Sequence, residues 1–253
     1  MNAISLINHG FQQVEAYCTI HRIAKVQSGP FQTCPKCAVN HVETTNQDRQ
    51  AEVDRMVRDK HFSSAMLPAR HANSGFRNYM LDSSNPGQAN ARSQCVSYTK
   101  SIAMGVKSNL IMVGSTGVGK THLACAAART LLSKGLYVRY ITSEELTQKI
   151  MNAWDKDSKG QSEESVIHDF TQYHLLILDE YGLHDREKRL ELVHKVLYAR
   201  YDAGKPTMLI SNLTLAELQK DLGDRLWSRF QHDGLTIVEC NWADQRVQKN
   251  GAV

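Results

Sequence analysis

Short continuous apolar runs alternate along this chain with longer stretches whose apolar residues recur every three or four positions. Asn109-Leu110-Ile111-Met112-Val113, Tyr137-Val138-Arg139-Tyr140-Ile141-Thr142, Leu175-Leu176-Ile177-Leu178 and Thr207-Met208-Leu209-Ile210-Ser211 have the length and composition of strands. A run that is apolar at successive positions suits a parallel strand buried on both faces. The intervening stretches read as helices. One runs from His122 to Ser133 and stops at Lys134-Gly135, a glycine cap. Another starts after Thr142, whose partner three residues on is Glu145, a capping box, and fades in the polar loop Asp155 to Gly160. A third covers Arg186 to Asp202, with Leu190, Val193, Val196, Leu197 and Tyr201 on one side. Strand and helix in alternation predict a doubly wound α/β sheet with its ligand at the carboxyl ends of the strands.

The first hundred residues are patterned differently. Gln47 to about Lys60 carries a sparse apolar stripe among alternating charges, which predicts a solvated connecting helix. Residues 63–95, with Pro68, Gly75 and Ser83-Ser84-Asn85-Pro86-Gly87, read as irregular linker and domain entry. Composition fits a globular protein: 253 residues, 42% hydrophobic and 22% charged. No apolar run nears the ~20 residues of a membrane span, and the N-terminus lacks a signal peptide's apolar centre, so no membrane association and a cytoplasmic location are expected. A net charge of +4 is compatible with nucleic acid as a partner without demanding it.

Between the first strand and first helix of the alternating region lies Gly114-Ser115-Thr116-Gly117-Val118-Gly119-Lys120-Thr121, followed by His122. Glycines at these places let backbone N–H groups converge, and the next helix adds the positive end of its dipole. Together they make a cradle for phosphate. Residues 114–122 are therefore expected to hold ATP, with Lys120 reaching the β- and γ-phosphates and the Thr121 hydroxyl holding Mg²⁺. Asp179-Glu180 ends the most apolar strand, where two carboxylates are costly without a cation or a task. Asp179 is expected on Mg²⁺ through its water shell, and Glu180 as the group that polarises the attacking water.

The six cysteines are unevenly spread, and Cys18-x-x-His21 with Cys34-Pro-Lys-Cys37, twelve residues on, supplies four N/S ligands in two knuckles. That is the donor set of a closed tetrahedral Zn²⁺ site, which would supply much of the folding energy of so small a segment.

The phosphate loop, Leu175 to Glu180, Met208 to Asn212 and Asp224-Arg225-Leu226-Trp227-Ser228-Arg229-Phe230 together resemble the AAA+ ATPases of the DnaC/DnaI helicase-loader family, over roughly Phe76 to Arg246. The resemblance implies an AAA+ P-loop domain over 76–253, a helical linker over 46–75 and a small zinc-binding domain over 1–45. It implies that Asn212 is the polar residue orienting water at the γ-phosphate. It makes Arg229 an arginine finger acting on a neighbouring subunit, with Arg225 as its rival, and Arg246 a further nucleotide-binding residue. The helical lid of other AAA+ proteins is expected to be absent or reduced, because the chain ends soon after Trp242. The activity implied is ATP hydrolysis in an ATP-dependent homo-oligomer that delivers a DnaB-like hexameric replicative helicase onto single-stranded DNA. An IstB-like transposition ATPase is the alternative, and a non-catalytic nucleotide-binding adaptor is a third reading, which the intact Asp179-Glu180 pair opposes. Lys156 and Lys159 are candidates for touching DNA.

Overall fold

In the computed structural model the described residues are 12–154, 161–182 and 187–245. Lys156, Lys159, Arg186 and Arg246 lie outside them. The chain divides into two compact units, Met1–Val57 and Arg58–Val253.

The first unit holds an antiparallel sheet in the order β1-β2-β3, from strands Gln12–Tyr17, Ala24–Ser28 and Phe31–Thr33. None of these strands is evident from apolar periodicity. The turn at Gly29 adopts φ 60°, a left-handed conformation that glycine takes without steric cost. Helix α1, Pro35–Ser64, is longer than the expected 47–60 stretch and buries no residue, as its sparse stripe implies.

The second unit is built on a five-stranded sheet, β4 (Asn109–Gly114), β5 (Val138–Thr142), β6 (Leu175–Tyr181), β7 (Thr207–Ser211) and β8 (Leu235–Cys240). Its order is β5-β6-β7-β4-β8, and all four pairings are parallel. Successive residues of a strand face opposite sides, so each apolar run serves two cores. Leu110, Met112, Leu175, Ile177, Met208 and Ile210 pack with helices α2 (Pro86–Ala103) and α3 (Lys120–Ser133). Ile111, Val113, Leu176, Leu178 and Leu209 pack with α4 (Ser143–Asn152), α5 (Glu163–Thr171), α6 (Glu187–Asp202) and α7 (Leu215–His232). Both predicted helix signals are present. Thr142 Oγ1 accepts from Glu145 N–H while Glu145 accepts from Thr142 N–H, and Gly135 ends α3 at φ 83°.

Elements of the second unit also differ from expectation. The Asn85-Pro86-Gly87 turn is the start of α2: the Asn85 side chain accepts from Gly87 N–H, and Pro86 sits where a helix has no use for an N–H. Helix α5 follows Ser162, a second capping box formed with Ser165. Strand β8 pairs with β4 and takes the phosphate-loop strand off the sheet edge.

Candidate nucleotide site and metal cluster

The phosphate loop leaves the carboxyl end of β4 and enters α3, with Gly114, Gly117 and Gly119 at φ 143°, 81° and 93°. A side chain at Gly114 would collide with the Cys240 carbonyl, 2.4 Å from an added Cβ, because β8 runs alongside. Tyr79 OH and Trp242 Nε1 both donate to the Val118 carbonyl, and Gln245 N–H donates to the Gly117 carbonyl. These contacts fix the loop's carbonyls at Gly117 and Val118, and the Asp244 carboxylate packs against Gly117. Ser115 and Thr116 are exposed at its crown, and the Ser115 hydroxyl reaches the Trp242 carbonyl at 3.5 Å.

Lys120 is buried. Its ammonium donates to Gly114 O at 2.6 Å, Ser115 O at 2.8 Å and Asn212 Oδ1 at 2.8 Å. The sheet order makes the last contact possible: β7 lies between β4 and β6, so the residue ending it arrives between the phosphate loop and Asp179. Asp179 shares the face of Leu175 and Ile177, towards α3, and is buried. Its Oδ2 accepts from Thr121 Oγ1 at 2.9 Å and from Tyr140 OH at 2.7 Å, and its Oδ1 accepts from Glu180 N–H at 2.7 Å. Burial and the neighbouring Asp179 charge raise the Tyr140 phenol well above its ordinary value, which keeps it a proton donor. Tyr140 went unassigned in the sequence, where only a cross-strand contact could have marked it. Thr121 and Asp179 put two hard oxygen donors side by side beneath the cradle, the chemistry that suits Mg²⁺.

Glu180 is exposed at the carboxyl end of β6 with φ 57°, a left-handed conformation that bulky residues adopt only under constraint. The constraint is a register shift in the β6–β7 ladder between Leu178 and Tyr181, with Ser143 Oγ donating to Glu180 O and Ser211 Oγ to Tyr181 O. His122 pairs through Nε2 with the Gly75 carbonyl at 3.0 Å and lies edge-on to Tyr79. The segment read as linker therefore walls the loop.

Arg229 is elsewhere. It lines a small cavity with Asn109, Lys205 and Thr207, residues at the amino ends of β4 and β7, and Asn109 Nδ2 donates to Phe230 O. Strand β4 alone puts about 16 Å between that end and Gly114. Arg225 is exposed on the same helix, just after the break that Gly223 makes in α7.

In the first unit, one donor atom each from Cys18, His21, Cys34 and Cys37 lies within 4.8 Å of all the others. The Cys18 and Cys37 sulfurs are 3.7 Å apart, and His21 Nδ1 is 3.8, 3.5 and 3.3 Å from those of Cys18, Cys34 and Cys37. A tetrahedron with ~2.3 Å metal–sulfur bonds has sulfurs ~3.8 Å apart, so the donor set fits Zn²⁺. The His21 N–H pointing at its sulfur draws the Cys18 thiol down to about 6, and the neighbouring Cys18 thiol group pushes Cys37 up to about 11. Cys34 and Cys37 sit at the start of α1.

A family profile described as IstB-like ATP binding protein matches residues 41–240. Replicative helicase loader DnaC of Escherichia coli (strain K12) is 28% identical over 208 residues, 80% of this chain and 83% of that protein. A crystal structure of the DnaC helicase loader matches with TM-score 0.58 at 23% identity, over 68% of this chain and 99% of that one. Replication initiator DnaA bound to AMPPCP and single-stranded DNA matches with TM-score 0.55 at 22% identity, over 69% of this chain and 51% of that one. The structural likenesses show the fold, a parallel sheet between helices with the phosphate loop at the carboxyl end of a strand. No helix among the described residues is long and apolar enough to cross a membrane. With a profile that spans most of the chain and a phosphate loop in its strand-to-helix setting, the chain belongs to the family of IstB-like ATP-binding proteins.

Proposed function

We propose that this protein is an ATP-hydrolysing loader that delivers a hexameric replicative helicase onto single-stranded DNA. The observation that carries the reading is the meeting of Lys120 with Asn212, and of Thr121 with Asp179, in a chain aligned with most of a DnaC helicase loader. In this reading the loop N–H groups and Lys120 neutralise the β- and γ-phosphates. Thr121 and Asp179 hold Mg²⁺, which when bound draws charge from the phosphate oxygens. Glu180 accepts a proton from the attacking water while Asn212 orients it, and Arg229 acts from a neighbouring copy. The second unit would therefore work in an ATP-dependent homo-oligomer, and the first, with its zinc, would bind the helicase.

The test is capture of a purified DnaB-type hexamer by the full chain with ATP, followed by helicase transfer to single-stranded DNA and ATPase activity with and without that DNA. Capture and ATP-dependent transfer are expected. An active ATPase that ignores the helicase but assembles on duplex DNA and stimulates a transposase would replace this reading with the IstB-like alternative. Absence of hydrolysis under all conditions would leave an adaptor.

Zinc at Cys18, His21, Cys34 and Cys37 should be stoichiometric in purified protein. Removing it with a chelator should unfold the first unit and leave ATP binding by the second unchanged, because the site supports only its own small module. Elemental analysis with limited proteolysis checks this; well under one zinc per chain with an intact first unit overturns it.

A further inference from the structure

Arg229 does not stand alone at the base of the sheet. Its guanidinium carbon lies over the Tyr198 ring at 4.7 Å from the centroid and over the Tyr201 ring at 4.9 Å. The two tyrosines are three residues apart on α6, hence on one face of that helix. Asp202, the last residue of α6, forms a loose ion pair with Arg229 Nη1 at 3.8 Å. The Arg229 side chain stays about a third exposed, at 32%.

We propose that Tyr198 and Tyr201 are positioning residues for Arg229, presenting its guanidinium to the nucleotide phosphates of a second copy of this chain. The inference rests on the proposed action of Arg229 across a subunit boundary. A guanidinium offers two different surfaces. Its flat faces attract aromatic rings, while its N–H donors lie in the plane and point outward. Rings over the faces restrict the long, rotamer-rich side chain without using the donors a phosphate needs. Asp202 is different in kind, since a carboxylate competes for those donors. At 3.8 Å and with its own side chain 66% exposed, it is a weak resting partner that a phosphate can displace. The distance from Arg229 to its own phosphate loop, about 16 Å along β4 alone, leaves a neighbouring copy as the recipient.

The consequence is that the defect of a tyrosine variant should travel with the subunit that donates the arginine. Arg229→Ala subunits, which bind ATP but offer no finger, are mixed with Lys120→Ala subunits, which offer a finger but hold no ATP. Restored turnover sets the reference. The donor is then replaced by Lys120→Ala carrying Tyr198→Leu and Tyr201→Leu. Rescue is expected to fall about tenfold, the scale of two surface cation–π contacts, with KM for ATP unchanged because the recipient's site is untouched. A donor carrying Tyr198→Phe and Tyr201→Phe keeps both ring faces and should rescue nearly in full. Circular dichroism and co-assembly on a sizing column show that each donor folds and joins the mixture.

If the leucine donor folds, co-assembles and rescues as well as its parent, the positioning role is overturned while Arg229 keeps its role in trans. If the parent donor itself gives no rescue in co-assembled mixtures, the underlying reading of Arg229 fails and takes this inference with it. A leucine donor that misfolds moves the decision to the single variants Tyr198→Leu and Tyr201→Leu. Each is expected to lower rescue about threefold, and full rescue by both overturns the proposal.

Discussion

Glu180→Gln should bind ATP within a few-fold of the parent protein yet hydrolyse it at least ~10²-fold more slowly, the usual worth of a positioned general base. The substitution removes a charge and a proton-accepting oxygen but keeps size and reach. It is also gentle on the backbone: glutamine meets the same left-handed φ of 57° that the native residue tolerates, whereas a β-branched residue there would strain the strand end. Lys120→Ala provides the contrasting result. It removes the ammonium that bridges the Gly114 and Ser115 carbonyls and Asn212, and with it the charge that offsets the phosphates, so ATP binding itself should be lost. Equilibrium titration with a fluorescent ATP analogue and steady-state phosphate release separate the two variants. Parental turnover by Glu180→Gln would assign the activation of water to another group.

Arg229→Ala should bind ATP nearly normally and lose ~10³-fold in turnover, the magnitude that arginine fingers supply in other nucleotide hydrolases. Arg229 lies beside the amino end of β4, with Asn109 Nδ2 bonding the next residue's carbonyl, while the phosphate loop leaves the opposite end. Mixing with Lys120→Ala should restore partial activity at each boundary where an intact arginine faces a bound nucleotide. Loss of turnover without restoration, in mixtures shown to co-assemble, would place Arg229 in packing and promote Arg225, exposed beyond the Gly223 break. Thermal melting guards the interpretation. The Arg229 side chain contacts only tyrosine faces and a loose ion pair among the described contacts, so its removal should cost about 1 kcal/mol or less.

Much of the second unit is legible in the sequence because its rules are local. A phosphate loop needs glycine where φ is positive, a capping box needs its two partners three residues apart, and a doubly buried strand needs an unbroken apolar run. Gly114 to Thr121, Thr142 with Glu145, and Leu175 to Leu178 each satisfy such a rule within a few residues. The cluster of Cys18, His21, Cys34 and Cys37 was legible for the same reason, since two short knuckles limit which side chains can meet. The start of α2 was locally written too, but its Asn-Pro-Gly spelling serves a turn and a helix cap equally, and only the packing of Ala91, Cys95, Tyr98 and Ile102 decides for the helix.

Other features depend on which strand lies beside which, and no local rule contains that. Tyr140 reaches Asp179 because β5 and β6 pair in the register that sets Thr142 against Asp179. Asn212 reaches Lys120 because β7, the fourth of the five strands in sequence, is inserted next to the first. Arg200 shows how far context can override residue type. Read along the chain it is one more charge on a helix, yet it is wholly buried, with its guanidinium donating to the carbonyls of Phe170, Tyr173 and Pro206 and to Thr207 Oγ1. A buried cation is tolerable only when its donors are satisfied, and here the acceptors come from the end of α5 and the start of β7. The sequence by itself thus determined the phosphate loop, the adjacent pair of acids and the two Cys/His knuckles, each written within a few neighbouring residues. The tertiary structure decided which of them share a hydrogen bond and on which end of the sheet Arg229 stands, because those distances follow from strand order and register.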